Sequence, residues 1–139
     1  MNSIINISEA ASIALHSMVY LALQNERPVK IKQIAKYLNS SETHLAKILQ
    51  TLSKKGFVTS TRGRNGGFVL AKPATEINFN SIYECIESEI CLESCPFSKD
   101  YCPFKSCIYG GFLNRMKNDT KNFFSNRYLS DVILELAKP

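Results

Sequence analysis

Residues 41–70 read SETHLAKILQTLSKKGFVTSTRGRNGGFVL, and this stretch decides the fold. Leu45, Ile48, Leu49 and Leu52 recur at helical spacing, which predicts an amphipathic helix running up to Gly56, a residue suited to the position just past a helix end. Beyond it, Phe57 to Thr61 and Phe68 to Leu70 read as two strands, joined by the glycine-rich turn Arg62-Gly63-Arg64-Asn65-Gly66-Gly67. Upstream, Ile31, Ile34, Ala35 and Leu38 repeat the helical spacing over a shorter run. Asn39, Ser40 and Ser41 then supply a turn and an N-cap. Two short helices, a three-residue polar turn and a hairpin make a winged helix-turn-helix over roughly residues 28–73.

Further out, residues 8–24 predict a helix that is apolar nearly all round: Ala11, Leu15, Met18, Val19, Ala22 and Leu23. Such a helix needs burial on more than one face, which points to a subunit contact beside the core contact. Arg27 and Pro28 close it. On the other side, Asn80 to Glu89 predicts a helix with Ile82, Ile86 and Ile90 on one stripe. Residues 91–107 carry four cysteines with Pro96 and Pro103, a compact loop rather than a helix. A long helix is expected from Ile108 to Asn126, striped by Ile108, Phe112, Met116 and Phe123, and a short one from Leu129 to Leu136. The stripe lies outside the winged unit and needs a partner, for which a second copy of the chain is the economical choice. The expected fold class is mainly α with a small β-hairpin wing, a winged helix-turn-helix plus a long dimerisation helix. Its expected division is a DNA-binding domain over 1–76, a connecting helix and cysteine-rich loop over 77–107, and a dimerisation arm over 108–139.

The hydrophobic share of 45% excludes a disordered chain. The longest apolar stretch, Ala10 to Leu23, is interrupted by Ser12, His16 and Ser17, too short and too polar to span a bilayer. No basic segment precedes it as in a secretory leader, so a cytoplasmic protein without a membrane partner is expected. Net charge is +5, but residues 27–72 carry ten bases against one acid, Glu42. One polyanion-binding surface accounts for that concentration. There is no nucleotide-binding glycine fingerprint and no HExxH or Ser/His/Asp constellation, so no enzyme is expected.

Opposite the leucine face, the second helix presents Thr43, His44, Lys47, Gln50 and Lys54. These hydrogen-bonding and cationic groups are spaced for base edges and phosphates in a major groove of double-stranded DNA. Ser40 and Ser41 sit at the helix N-terminus, where a hydroxyl and free N–H groups suit a phosphate. In the wing, Arg62, Gly63 and Arg64 form a protruding tip: glycine permits close approach and a narrow minor groove attracts arginine.

Cys91, Cys95, Cys102 and Cys107 place four thiols within 17 residues. Thiolates at this density bind soft metals, and the Cys95-Pro96 and Cys102-Pro103 pairs bend the chain around a ligand. Spacing alone leaves an iron–sulfur cluster, structural zinc and free redox thiols open. Cys85, beside Ile82 and Ile86, reads as a buried structural thiol, and His16 as a core or interface residue. Glu84, Glu87, Glu89, Glu93 and Asp100 surround the loop and make it a poor DNA surface.

The run Ile34-Ala35, Ser41 to Leu45, Ile48-Leu49, Leu52, Lys55-Gly56-Phe57-Val58, Ser60, Arg62-Gly63, Gly66-Gly67-Phe68 and Leu70-Ala71 resembles the IscR/NsrR/CymR type of winged-helix transcription regulators, the Rrf-two family. Its most specific motif is the RGxxGG wing after a leucine-rich reading helix, and the resemblance covers nearly the whole chain. It implies a homodimeric repressor on a roughly palindromic operator, with the long helix as the dimer arm. The family's reading residues map onto Ser40, Ser41, Thr43, His44 and Lys47, and its wing residues onto Arg62, Gly63 and Arg64. Its cluster-bearing members carry three loop cysteines, which Cys95, Cys102 and Cys107 match with the middle one displaced by one. The resemblance thus implies a 2Fe–2S or 4Fe–4S cluster that sets operator binding in response to redox, nitric oxide or iron–sulfur status. Where one branch has a histidine ligand this chain has Gly110, and where another takes an acid from the partner's first helix it has Ser12 or Ile13, with Glu9 a turn away. Cys91 is accordingly expected as the fourth ligand. The alternative is a cluster-free regulator sensing by cysteine oxidation or a partner protein, or one holding structural zinc.

Overall fold

The first helix starts where the extended backbone of Ser8 turns its Oγ to accept the Ala11 N–H at 3.0 Å. The computed structural model describes residues 6–88, 95, 97 and 101–139. This helix, α1 (Glu9–Leu23), buries Ala11, Ala14, Leu15, Met18 and Leu21. It packs against five later elements of the same chain, four helices and a strand. Ala11, Leu15 and Met18 are spent inside the single chain, while Val19, Ala22 and Leu23 stay half-buried.

Helix α2 (Ile31–Leu38) stops at Asn39, whose backbone is left-handed with φ 52°. Asparagine tolerates that conformation, and the Ser40 N–H returns to the Ala35 carbonyl. Ser41 then caps α3 (Glu42–Lys54) by accepting the His44 N–H at 3.1 Å. At the far end Gly56, with φ 82°, lets the Gly56 and Phe57 amides bond the Ser53 and Leu52 carbonyls, the closing pattern that glycine favours. Leu45, Leu49 and Leu52 are fully buried against Met18, Ile34 and Val58.

Strands β1 (Val58–Thr61) and β2 (Gly67–Leu70) pair antiparallel, Val58 opposite Leu70 and Thr61 opposite Gly67. A third backbone joins them. Val29 bridges Phe68 through two hydrogen bonds of 3.0 and 2.8 Å. A Cβ on Gly67 would stand 2.6 Å from the Val29 carbonyl oxygen, and one on Gly66 would strike the Thr61 backbone. The two glycines thus serve close approach as well as the turn.

After a single 3-10 turn, Asn78 caps α4 (Phe79–Glu87) through the Ser81 N–H at 2.8 Å. The start of α4 is latched to the elbow between α5 (Phe112–Asn126) and α6 (Leu129–Leu136): Phe79 N–H bonds the Arg127 carbonyl and Leu129 N–H the Ile77 carbonyl. Ile77, Ile82 and Leu129 join the same core as the helix-turn-helix leucines. The architecture is mostly helical with one two-stranded wing, a winged helix with C-terminal helices.

Two boundaries differ from the sequence expectation. Helix α4 ends at Glu87, and Ile90 of its expected stripe lies outside the described residues. Helix α5 begins at Phe112, not Ile108, because Gly110 and Gly111 are left-handed (φ 58° and 75°) and break the run. Ile108 therefore precedes the stripe. No residue of α5 is buried: Phe124 packs edge-on against Phe79 and Tyr83, while Phe112 and Phe123 stay about half exposed.

Candidate nucleic-acid interface and cysteine cavity

On α3 the leucine face points into the core, which turns Thr43, Lys47, Gln50 and Lys54 outward into solvent. His44 is half-buried and Ser41 is exposed with its hydroxyl capping the helix. Ser40 is half-buried, its hydroxyl oxygen enclosed without a hydrogen-bond partner among the described residues. In the wing Arg62, Gly63 and Arg64 are all exposed, and the left-handed Gly63 (φ 105°) faces open space. The Gly66 N–H closes the tip on the Gly63 carbonyl at 3.1 Å.

One contact was not foreseen. The Lys30 Nζ donates to the Gly63 carbonyl at 2.6 Å, across 33 residues. The only sequence signal was a base just before α2, in a region rich in bases.

The cysteines fall differently from one another. Cys91 lies outside the described residues, as do Glu89, Glu93 and Asp100. Cys95, Cys102 and Cys107 line one cavity of about 780 Å³, with Phe97, Phe104, Ile108 and Leu113 as its apolar wall. Cys95 and Cys102 are half-buried and Cys107 is exposed. Backbone N–H groups of Gly111, then Tyr109 and Gly110, hold the Cys107 thiol below its ordinary pKa. The left-handed glycine pair that delays α5 thus also eases the Cys107 thiol toward deprotonation. Among the described residues, no group of three or more His, Cys, Asp or Glu side chains is arranged to hold a metal ion. The donor chemistry, thiols around one cavity and one of them eased toward thiolate, fits a soft metal or an iron–sulfur cluster.

Cys85 stands apart. Its Sγ lies 3.9 Å from the Thr51 carbonyl, and burial pushes the thiol pKa up despite the opposing charge of Lys55. It is half-buried rather than fully buried, between α4 and α3. His16 is not a core residue: it is exposed, with Nδ1 2.7 Å from the Ser12 carbonyl, because its position on α1 turns away from Met18 and Leu15. Gly110 is exposed, Ser12 half-buried and Ile13 buried. Among the described residues, no helix is long and apolar enough to cross a membrane.

Comparison with known proteins now bears on these features. The model of the Rrf2 family, described as iron-dependent transcriptional regulators, matches residues 7–135. An HTH-type transcriptional regulator of Aquifex aeolicus is 33% identical over 129 residues, which is 91% of this chain and 90% of that one. The HTH-type transcriptional regulator NsrR of Oceanobacillus iheyensis is 35% identical over 91 residues, 65% of this chain and 62% of that one. Among solved structures, CymR (YrzC), the global cysteine regulator of B. subtilis, superposes with a TM-score of 0.78 at 27% identity, covering 94% of this chain and 98% of its own.

Proposed function

This chain belongs to the Rrf2 family of transcriptional regulators, and on that premise we propose that it represses transcription as a homodimer on a roughly palindromic DNA operator. Its family is one of regulators, not enzymes. The observation that carries the reading is the exposed polar and cationic face of α3 beside an exposed arginine wing tip, within the most basic third of the chain. In this reading Thr43, His44, Lys47 and Gln50 meet base edges. Ser41 and the helix N-terminus meet a phosphate, and Arg62, Gly63 and Arg64 enter the minor groove; the enclosed Ser40 hydroxyl and its bonded N–H are not placed to join them. The half-exposed Phe112 and Phe123 of α5 supply the dimer contact.

The loop between α4 and α5 is the control element. Cys95, Cys102 and Cys107 would hold an iron–sulfur cluster with Cys91 as fourth ligand, and such a cluster supplies oxidation, nitrosylation or loss as its chemistry. The iron-dependent description of the family and the shared thiol cavity support this. What the chain's own residues do is set where α5 begins, at Gly110 and Gly111, and thereby the spacing of two α3 helices across the dimer. The likeness to a cysteine regulator supports a second reading, in which the same thiols sense without a cluster.

Anaerobic purification separates the two. A brown protein with iron and sulfide supports the cluster; a colourless, metal-free protein whose DNA affinity changes on mild thiol oxidation supports the second reading. DNA binding of cluster-loaded and stripped protein, measured across salt concentrations, tests the regulator itself. Affinity that ignores salt would sink the DNA reading, because a polyanion contact must weaken steeply as counterions compete.

A further inference from the structure

We propose that Lys30 is a positioning residue for the wing, its ammonium holding the Gly63 carbonyl and so setting where Arg62 and Arg64 meet DNA. The role rests on the wing being a DNA contact. Residues 29 and 30 grip the wing at two places in succession. Val29 bridges Phe68 in β2, one pair from the turn, with two backbone hydrogen bonds, and Lys30 reaches the tip at 2.6 Å. The Lys30 backbone is itself held on both sides. Its N–H donates to Gln33 Oε1 at 2.9 Å, and its carbonyl accepts the Gln33 N–H at 3.0 Å and the Ile34 N–H at 3.3 Å. The side chain therefore projects from an anchored point at the start of α2 rather than from a loose loop.

The tip needs such a hold. Gly63 has φ 105° and open space where a Cβ would be, so packing does not restrain it. Its carbonyl accepts from the Gly66 N–H within the turn and from Lys30 across it, which uses both lone pairs. A lysine serving only as a phosphate contact would keep its ammonium toward solvent. This one is committed to a neutral carbonyl flanked by the two wing arginines. The bond also joins the helix-turn-helix entry to the wing tip, so the two DNA-contacting parts move as one body.

The test uses the full chain and a labelled random-sequence duplex of DNA, with affinity measured over a range of salt. Lys30→Ala is expected to weaken binding about five-fold, the order of one charge-assisted hydrogen bond discounted for exposure. Lys30→Arg, which keeps a donor in reach, is expected to restore binding to within about two-fold. In an Arg62→Ala/Arg64→Ala background, Lys30→Ala should change affinity by less than about two-fold, because the groups it positions are gone. In the free protein, the amides of residues 62–66 should exchange faster in Lys30→Ala while the thermal midpoint stays unchanged. Equal losses in both backgrounds, with a salt slope lower by about one charge, would mean that Lys30 touches DNA directly and would overturn the proposal. So would unchanged binding or unchanged exchange. If the wild-type chain does not bind the duplex, the wing reading fails instead, and the exchange measurement still decides the Lys30–Gly63 bond.

Discussion

Replacing Gly67 with alanine tests whether the wing is fastened to the helix-turn-helix through Val29. The new Cβ would stand 2.6 Å from the Val29 carbonyl oxygen and 2.7 Å from its carbonyl carbon and nitrogen, all backbone atoms that cannot rotate away. Ordinary contact needs about 3.4 Å or more, so the Val29 strand must move off by the better part of an ångström. That breaks the two Val29–Phe68 hydrogen bonds, worth about 1 kcal/mol each. The φ of 152° adds about 1–3 kcal/mol of strain for a residue with a side chain. The expected loss is about 3–5 kcal/mol, or about 10–17 °C in melting temperature for a chain of this size. Urea and thermal unfolding of the metal-free protein measure it. Gly63→Ala is the control: its φ of 105° brings strain, but nothing lies within 4 Å of the new Cβ. It should cost only the strain of about 1–3 kcal/mol and leave the Val29 bridge intact. A Gly67→Ala loss below about 1 kcal/mol, or one no larger than that of Gly63→Ala, would refute the reasoning.

Three further outcomes are expected. In metal-free protein near neutral pH, iodoacetamide should label Cys107 well before Cys85, since backbone N–H groups favour the Cys107 thiolate while burial disfavours that of Cys85; peptide mass spectrometry gives the order, and the reverse order contradicts both environments. The Arg127 guanidinium, paired with Glu135 at 2.6 Å, holds that carboxyl below its ordinary value of 4.5, so the stability it adds is present above 4.5 and fades as pH falls through the lowered value. Arg127→Leu should flatten that part of the acid limb of melting temperature against pH, and an unaltered acid limb counts against the pair. Phe123→Glu places a charge on the half-exposed face of α5 and should shift the chain to monomer in sedimentation while lowering DNA affinity; a persisting dimer means the arm lies elsewhere.

What could be read in the amino acids was whatever lies within a dozen residues. The spacing of Leu45, Ile48, Leu49 and Leu52 and the closing role of Gly56 are local, and the structure has α3 buried and ended as they imply. Gly66 and Gly67 were visible as a turn, but the reason for Gly67 is Val29, far upstream in the chain, and close approach leaves no local pattern. Lys30 was hidden for the same reason. The start of α5 was misplaced because the apolar stripe runs through Ile108 and outweighed the glycine pair that follows it. Cysteine spacing conveyed thiol density but not that Cys95, Cys102 and Cys107 share one cavity, nor that the α5 entry supplies amides to Cys107.

The neighbours of α1 bear most on mechanism. Its apolar girth implies a core contact and a subunit contact, and His16 a core or interface position; Ala11, Leu15 and Met18 are buried within the chain, Val19, Ala22 and Leu23 are half-buried, and His16 faces out. Helix α1 packs on α3 and β2 as well as on α4 and α6, and α4, the helix that precedes the cysteine loop, also packs on α3 directly. If the loop controls DNA binding as proposed, a change there need not travel through a flexible linker. In the proposed reading it has only to tilt α4 against α1 and α3, and the close packing of Met18, Leu45, Leu49 and Ile82 in one core leaves little room for that tilt to be absorbed before it reaches α3.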